Sequence, residues 1–418
     1  MSLILGAVAD DFTGATDLAG MLAASGMRTM LILGLPEPEA AAPEADAVVV
    51  ALKTRTIPAV DAVAQSLAAW RWLQRSGARQ AYFKYCSTFD STDKGNIGPV
   101  AEALWRETGE GPTVFVPSLP ENGRTVYRGH LFVFDQLLSD SSMRNHPLTP
   151  MTDPNVVRVL ARQTAVGVGL IRHHTVAEGP AAIRTAAETL AAEGNPFIVV
   201  DTLTNADLDV IGEACRDFRL VTGGSGLALG LAPRLRAGDV TGATVLPEVG
   251  GPIICLSGSC SEATNAQVQR FAEKHPVHRL DPVALAEGRQ TAAEAVAWAA
   301  ARLAVGPCLV SATSAPAEVK AAQAALGADR AAAVIEEALA AVAFALRQAG
   351  VRRFVVAGGE TSGAVATALG VSQLAVGPQI APGVPWCVTL GAEAVALALK
   401  SGNFGGEDFL AEAIATAP

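Results

Sequence analysis

At 418 residues, 50% hydrophobic and only 17% charged, the chain carries more apolar material than one ordinary core uses, so two domains are expected. A net charge of -10 and few aromatic residues (5 Trp, 3 Tyr and 13 Phe) exclude a surface built to bind and stack nucleic acid, while leaving room for a small anion gripped by local Arg and Lys. The six cysteines form no Cys-x-x-Cys pair and the histidines no ligand spacing, so reduced thiols and no structural metal are expected.

The first element is an apolar run, Leu3 to Ala9, read as a buried strand. It stops at Asp10 and Asp11; Thr13 and Gly14 follow as a turn, and Thr16 or Asp17 is placed to cap a helix through Leu18, Met21 and Leu22. With no basic region before that run, carboxylates directly after it and no uncharged stretch of membrane-spanning length, a soluble cytoplasmic protein is expected. Further strands are expected at 30–33, 47–52, 80–84, 113–117, 166–171, 197–201 and 219–222, alternating with helices at 59–74, 97–105, 155–163, 177–192, 206–216 and 225–235. This alternation predicts an α/β fold with a mainly parallel sheet flanked by helices. Residues 120–153, rich in Gly, Pro, Asn and Ser, read as a long loop with a short hairpin near 130–134, and His130 is the one histidine near a candidate site. His173 and His174 are read as neighbours on a strand, with rings pointing apart.

Around Arg236–Gly251 the pattern loosens into a linker that divides a domain of 1–240 from one of 250–418. In the second domain strands are expected at 253–257, 308–311 and 354–357, with apolar runs at 373–376 and 386–390 and helices at 262–274, 291–303 and 330–349. Each domain is thus expected to hold its own mainly parallel sheet.

Strand ends are where α/β sheets place ligands, and five of them carry chemistry. Asp10 and Asp11, with Thr13 and Gly14, read either as a reactive acidic turn or as a simple cap. Lys84-Tyr-Cys-Ser-Thr-Phe-Asp-Ser-Thr-Asp-Lys-Gly-Asn96 gathers Lys84, Asp90, Ser91, Thr92, Lys94 and Asn96 between a strand and a helix. Such a loop suits a polyhydroxylated acid, with hydroxyls met by Asp and Asn and the carboxylate by lysine. Arg124, at a glycine turn, suits a bidentate grip on a carboxylate. In the second half Ser257-Gly-Ser-Cys-Ser261 and Gly358-Gly-Glu-Thr-Ser-Gly363 each follow a strand and open a helix, so their N–H groups form two anion seats. Two seats in one domain predict a nucleotide site, with Glu360 placed to meet a metal or a ribose. No Gly-Lys dipeptide occurs, which excludes a Walker A loop. Thr222-Gly-Gly-Ser-Gly-Leu-Ala-Leu-Gly230 approaches a dinucleotide fingerprint but has the wrong spacing, and reads as helix–strand packing or part of the substrate cleft. Asp201, with Thr202 to Asn205, is a further polar strand end.

Taken in order, Val8-Ala-Asp-Asp-Phe-Thr-Gly-Ala-Thr-Asp17, the Asp90-Ser-Thr…Lys94-Gly-Asn96 loop, Asn122-Gly-Arg124, Gly223-Gly-Ser-Gly226, Ser257-Gly-Ser259 and Ala357-Gly-Gly-Glu-Thr-Ser-Gly363 resemble the four-carbon acid sugar kinase family over nearly the whole chain. The Lys84-Tyr-Cys-Ser-Thr-Phe lead, and Asp-Lys where sister enzymes carry Leu-Arg, look like its 3-oxo-tetronate branch. The resemblance implies a sugar-acid-binding N-terminal domain, a nucleotide-binding C-terminal domain and an active site in the interdomain cleft. The implied reaction is ATP-dependent phosphorylation of the C4 hydroxyl of a 3-dehydro-erythronate-type acid in carbohydrate acid catabolism, with Mg²⁺ as the expected companion of ATP. Ser257, Gly258, Ser259, Gly358, Gly359, Glu360, Thr361, Gly363, Gly402 and Gly405 would then form the ATP side. The sugar-acid side would comprise Asp10, Asp11, Thr13, Gly14, the Lys84–Asn96 loop and Arg124. Either Asp10 or Asp11 is the expected base, the other acid holding Mg²⁺ or a substrate hydroxyl.

Three other readings stay open: an erythronate or threonate kinase of the same family, an NAD(P)-dependent hydroxy-acid dehydrogenase using the Gly223–Gly230 turn, and a non-catalytic sugar-acid-binding protein. The partners expected are the sugar acid and ATP, with no nucleic acid or membrane; a homodimer is carried as an option for assembly.

Overall fold

The apolar runs of the first half lie side by side in the computed structural model, which describes residues 3–146, 148–235 and 246–418. The first of two compact units, Met1–Ala243, carries β1 (Leu5–Ala9), β2 (Thr29–Leu33), β3 (Ala47–Ala51), β4 (Gln80–Lys84), β5 (Thr113–Val116), β6 (Arg124–Tyr127), β7 (His130–Val133), β8 (Gln136–Leu137), β9 (Val168–Ile171), β10 (Phe197–Val200) and β11 (Leu220–Gly223). Eight of these are parallel, in the order β2-β3-β1-β4-β11-β5-β10-β9. Because helices cover a parallel sheet on both faces, its strands are continuous apolar runs: Val48, Val49 and Val50 of β3 are all fully buried. Burying each such side chain stabilises the fold by about 1.5–3 kcal/mol. At Gly6 a Cβ would stand 2.9 Å from the Ala78 Cβ and 3.0 Å from that of Leu73, so the missing side chain lets the end of helix Ala59–Arg75 close on β1.

The second unit, Thr244–Pro418, adds β12 (Ile253–Ser257), β13 (Val277–Arg279), β14 (Cys308–Ser311), β15 (Arg353–Ala357), β16 (Gln373–Ala381), β17 (Val384–Val388) and β18 (Ala396–Lys400). Within it the order is β13-β14-β12-β15-β18-β17-β16. The first five are parallel, and β17 runs antiparallel to both β18 and β16. One face packs Cys255, Val268, Phe271, Val355, Trp386 and Phe409 into a core.

Chain order against strand order locates a switch point in each unit. After β1 the chain goes to β2 and β3 on one side, and β4 is added on the other. After β12 it goes to β13 and β14 on one side, and β15 is added on the other. At such points the loops leave in opposite directions and open a crevice at the carboxyl ends of the strands. Asp10, Asp11 and Lys84 stand at the first, and Ser257–Ser259 and Gly358–Thr361 at the second.

Several local expectations are corrected. The first helix begins at Phe12, not near Thr16: Asp11 is its N-cap, so Thr13 and Gly14 lie in its first turn. His173 and His174 open a short helix, His173–Ala177, rather than sharing a strand. The expected loop at 120–153 contains the antiparallel sheet β6-β7-β8, followed by short 3₁₀ turns. Strands β13 and β18 and helix Pro316–Leu326 were not expected. All six cysteines are free thiols. Most of the expected linker, residues 236–245, lies outside the described residues, as does the expected boundary at 240.

Candidate functional site

At the end of β1 the two carboxylates share one guanidinium. Arg55, in the loop after β3, donates from Nε to Asp10 Oδ2 at 2.9 Å and from Nη2 to Asp10 Oδ1 at 2.8 Å and Asp11 Oδ1 at 2.7 Å. Its Nη1 lies 3.9 Å from Asp90 Oδ2. Asp11 also accepts from the Gly14 N–H at 3.0 Å and the Thr13 hydroxyl at 2.9 Å. Burial pushes the Asp10 carboxyl up, and Arg55 pulls it only part of the way back, so its pKa ends above the ordinary value. Burial pushes Asp11 up too, but there Arg55, Lys84, Thr13 and Gly14 prevail and the carboxyl is held below the ordinary value. The neighbours are thus shifted in opposite directions, Asp10 up and Asp11 down, the arrangement by which one site separates two carboxylate roles. Asp11 is also the more open, its side chain 26% exposed against 6% for Asp10.

Lys84, buried at the end of β4, comes level with Ala9 and so reaches the same crevice. Its Nζ donates to Tyr85 O at 2.8 Å and lies 2.9 Å from the point where a Gly14 Cβ would stand. Gly14 is therefore the close approach that lets the ammonium sit beside Asp11. Arg55 is not expected from the sequence, and Asp17, expected as a helix cap, lies inside the helix and backs this group instead: Ser225 donates to Asp17 Oδ2, and the other oxygen of buried Asp17 has no hydrogen-bond partner. Burial raises the Asp17 pKa against the pull of Lys84 and Ser225.

The loop after β4 divides into inward and outward members. Asp90 accepts from the Thr88 hydroxyl at 2.6 Å and faces Arg55. Asn96 is buried and donates to Thr54 O at 2.6 Å and Ile57 O at 2.8 Å. Ser91 donates to Gln163 Oε1 at 3.2 Å, and Gln163 returns a bond to Thr92 O at 2.8 Å. These two thus brace the loop, while Lys94 is exposed. Arg124, at the start of β6, lies within electrostatic reach of Cys86 and Asp90, which partly restore a pKa lowered by burial. It bonds the Asn122 carbonyl, its Cζ lies 5.5 Å from the Phe134 ring centroid, and its Nε is buried without a partner. An orphaned guanidinium N–H suits a carboxylate ligand.

Other strand-end groups prove to be framework. Asp201 accepts from the N–H groups of Arg128, Gly129 and His173, tying the β6–β7 turn to the sheet. His130 bonds Arg128 O and contacts Asn155. A Cβ at Gly223, Gly224 or Gly226 would come within 2.5, 2.7 or 2.4 Å of the carbonyls of Val116, Pro117 or Ser118. These glycines serve close packing against the exit of β5.

In the second unit, the turns after β12 and β15 line one side of a cavity of about 960 Å³. Gly258 and Ser259 donate their N–H groups to Ala357 O, so these two do not form the expected anion seat, and a Cβ at Gly258 would be 2.2 Å from Thr361 Oγ1. Gly358 adopts φ 125° before helix Gly359–Ala368, a conformation suited to glycine. Gly258, Ser259, Gly358, Gly359, Glu360 and Thr361 all line the cavity. Gly402 adjoins them, since its Cβ would stand 2.6 Å from Ser259 Oγ. Three expected residues are set back from it. Ser257 is buried and hydrogen-bonds Thr313, Gly363 lies inside the helix, and the Gly405 carbonyl is held by the Gln267 amide at 3.0 Å. Thr313, Asn265 and Lys400 were not expected. Thr313 donates to Ser259 O at 2.7 Å, and Asn265 ties the β12 turn to Ser314 O at 3.1 Å. Among the described residues no group of three or more His, Cys, Asp or Glu is arranged to hold a metal ion.

A model of a sugar-binding N-terminal domain matches residues 5–231, and one of a nucleotide-binding C-terminal domain matches residues 254–410. The 3-oxo-tetronate kinase of Burkholderia multivorans is 56% identical over 415 residues, 98% of this chain and 96% of that one. That of Cupriavidus necator is 55% identical over 418 residues, again 98% and 96% of the two chains. The solved structure of a Salmonella typhimurium LT2 protein superposes with TM-score 0.88 at 44% identity, covering 98% of both chains. A Haemophilus influenzae protein does so with TM-score 0.82 at 44% identity, covering 98% of this chain and 99% of that one. No helix among the described residues is long and apolar enough to cross a membrane.

Proposed function

The chain belongs to the four-carbon acid sugar kinase family, and on that premise we propose that it transfers the γ-phosphoryl group of ATP to the C4 hydroxyl of a 3-oxo-tetronate. The observation that supports this most directly is the contrast between the two switch points. One gathers carboxylates, Lys84 and Arg124, which suit a hydroxylated acid. The other gathers the first N–H groups of helix Gly359–Ala368 and several hydroxyls around a cavity of about 960 Å³, which suit a nucleotide.

In this reading Arg124 and Lys84 bind the substrate carboxylate, and Asp90 and Thr13 meet its hydroxyls. Asp11 is the base, since it is the more open of the pair and only one of its oxygens is held by Arg55. Its carboxylate takes the proton of the C4 hydroxyl as that oxygen bonds to the γ-phosphorus, and the bond to the β–γ bridging oxygen breaks, leaving ADP. Asp10, with both oxygens on Arg55, fixes the guanidinium that holds Asp11 in place. The turns at Gly258–Ser259 and Gly358–Thr361 hold the phosphates. Mg²⁺ supplies charge neutralisation when bound with the nucleotide; a kinase holds it by one or two carboxylates and the phosphates rather than by a protein cage, and Glu360 on the cavity wall fits that part. In-line transfer needs the reacting atoms about 3–3.5 Å apart, so we assign the reaction to an interdomain cleft.

A coupled ADP-release assay over tetronates and 3-oxo-tetronates tests the reading. ADP release that depends on a 3-oxo-tetronate is expected. Release with erythronate or threonate alone would reassign the substrate. Reduction of NAD(P)⁺ without ATP, or binding of the acid with ATP left intact, would overturn the kinase mechanism.

A further inference from the structure

The last residue of β18 is a lysine in the interior. Lys400 has 0% exposure, and its Nζ donates to Thr264 Oγ1 at 3.0 Å, Ser401 O at 3.0 Å and Gly402 O at 2.9 Å. On its other side Nζ stands 5.8 Å from the centroid of the Phe409 ring. A buried cation is normally matched by a carboxylate, and no ion pair of Lys400 is found among the described residues. The charged groups of the elements packed around it are engaged or turned elsewhere: Arg270 pairs with Asp408 and Glu273, Glu262 and Glu412 are exposed, and Glu360 lines the cavity. Burial alone pulls the Lys400 ammonium down to about 7.

Its position explains why a charge is kept there. Lys400 is level with Ala357, and its own carbonyl accepts the Gly358 N–H at 2.8 Å, so it touches the turn after β15. Its ammonium also joins Ser261 Oγ, at 2.6 Å, and Thr264 Oγ1, at 2.7 Å, on the single carbonyl of Gly402. Drawing that carbonyl inward sets the Gly402 backbone against Ser259.

We propose that Lys400 is a positioning residue of the nucleotide site, whose ammonium form pins the Gly402 turn against Ser259 and supplies from beneath the positive charge that the glycine turns lack. This rests on the nucleotide reading of that cavity. Anionic phosphates arriving on the turns favour the ammonium, so binding takes up a proton wherever the free protein has begun to lose it. The sign follows: nucleotide affinity is full below about pH 7 and falls as pH rises through the Lys400 pKa.

The test is calorimetric titration of the full chain with MgADP near pH 8, in two buffers of different ionisation enthalpy, alongside the nucleotide KM from about pH 6.5 to 9. Proton uptake is expected in the native protein and not in Lys400→Met. That variant should raise the nucleotide KM about tenfold near pH 7, the size of a hydrogen bond from a charged donor, and abolish its pH dependence. Lys400→Arg should keep the low KM and lose the alkaline rise. Binding of MgADP without proton uptake, with a KM flat across the range in the native protein, would overturn this inference alone and needs no variant to fold. Absence of any nucleotide binding would overturn the nucleotide reading with it.

Discussion

The Asn96 side chain holds the backbone on both sides of Arg55. Its Nδ2 donates to Thr54 O at 2.6 Å and Ile57 O at 2.8 Å, so a residue at the foot of helix Ile97–Thr108 sets the loop that delivers the guanidinium to Asp10 and Asp11. Replacing Asn96 with Ala leaves one buried and one half-buried carbonyl without their donor. A loss of about 1–3 kcal/mol is expected, the usual cost of unsatisfied buried groups, measurable by urea unfolding. If the loop follows, kcat falls about tenfold to a hundredfold through misplacement of Arg55. An unchanged kcat in a destabilised variant would show that the carboxylates hold Arg55 unaided.

Arg55→Met removes the partner and leaves Asp10, 5% exposed, as a buried carboxylate. Breaking a buried pair from one side costs about 3–5 kcal/mol. With the Arg55 side chain 22% exposed, the lower end, about 3 kcal/mol, is expected. The loss should depend on pH with a definite sign. The folded-state pKa of Asp10 already lies above its unfolded value, and without Arg55 it rises further. The penalty is full where Asp10 is ionised in the variant, shrinks as pH falls through the variant's raised pKa, and levels off below the native protein's own Asp10 pKa, where both folded proteins carry it protonated. Thermal unfolding of native and variant proteins from pH 4 to 8 should converge on the acid side; a constant gap would mean that Asp10 has found another partner.

What the sequence makes legible follows from how each group is held. Strand β1 and its acidic end, Lys84 at the end of β4, and the two glycine turns are readable because buried parallel strands leave unbroken apolar runs that stop where polar groups begin. Arg55 escapes that reading although Lys53-Thr-Arg55 follows the run of β3, because its place is set by Asn96 and by two carboxylates 44 and 45 residues earlier. Lys400 is harder still. It closes an apolar run as any surface lysine does, and only the packing of Phe409 and the turn after it reveals that the ammonium is enclosed. The misplaced helix start has a local cause: Thr13 and Gly14 carry turn chemistry, yet Asp11 captures the Gly14 N–H and so draws both into the helix.

Asp10 and Asp11 can be told apart by the acid limb of the rate profile. Asp11→Asn keeps the shape but cannot take a proton, and kcat should fall by about 10²–10⁴, the size of a general-base contribution. In the native protein the Asp11 pKa is held below the ordinary carboxylate value. The rate should therefore hold its plateau down to the ordinary carboxylate value, about 3.9, and decline only beneath it. The Asp10 pKa is raised, so a limb set by Asp10 would begin at higher pH. A decline that sets in above the ordinary carboxylate value and that Asp10→Asn removes, with Asp11→Asn still active, would transfer the role to Asp10. The same depressed pKa makes Asp11 a source of stability at neutral pH, lost as pH falls through its folded value.

Gly258 is the position where the phosphate-binding turns admit least change. A Cβ there would stand 2.2 Å from Thr361 Oγ1 and 3.3 Å from Leu339 Cδ1. Rotating Thr361 gives no relief, since a β-branched side chain exchanges its hydroxyl for a methyl of similar bulk. Gly258→Ala must therefore push the β12 turn away from helix Gly359–Ala368, whose first N–H groups line the cavity with it. Overpacking of this kind costs about 1–3 kcal/mol, and the displaced turn should raise the nucleotide KM about tenfold while the KM for the sugar acid stays put. The split between the two KM values is the informative measurement. If both rose together, Gly258 would be acting on the whole fold rather than on the turn that receives the phosphates.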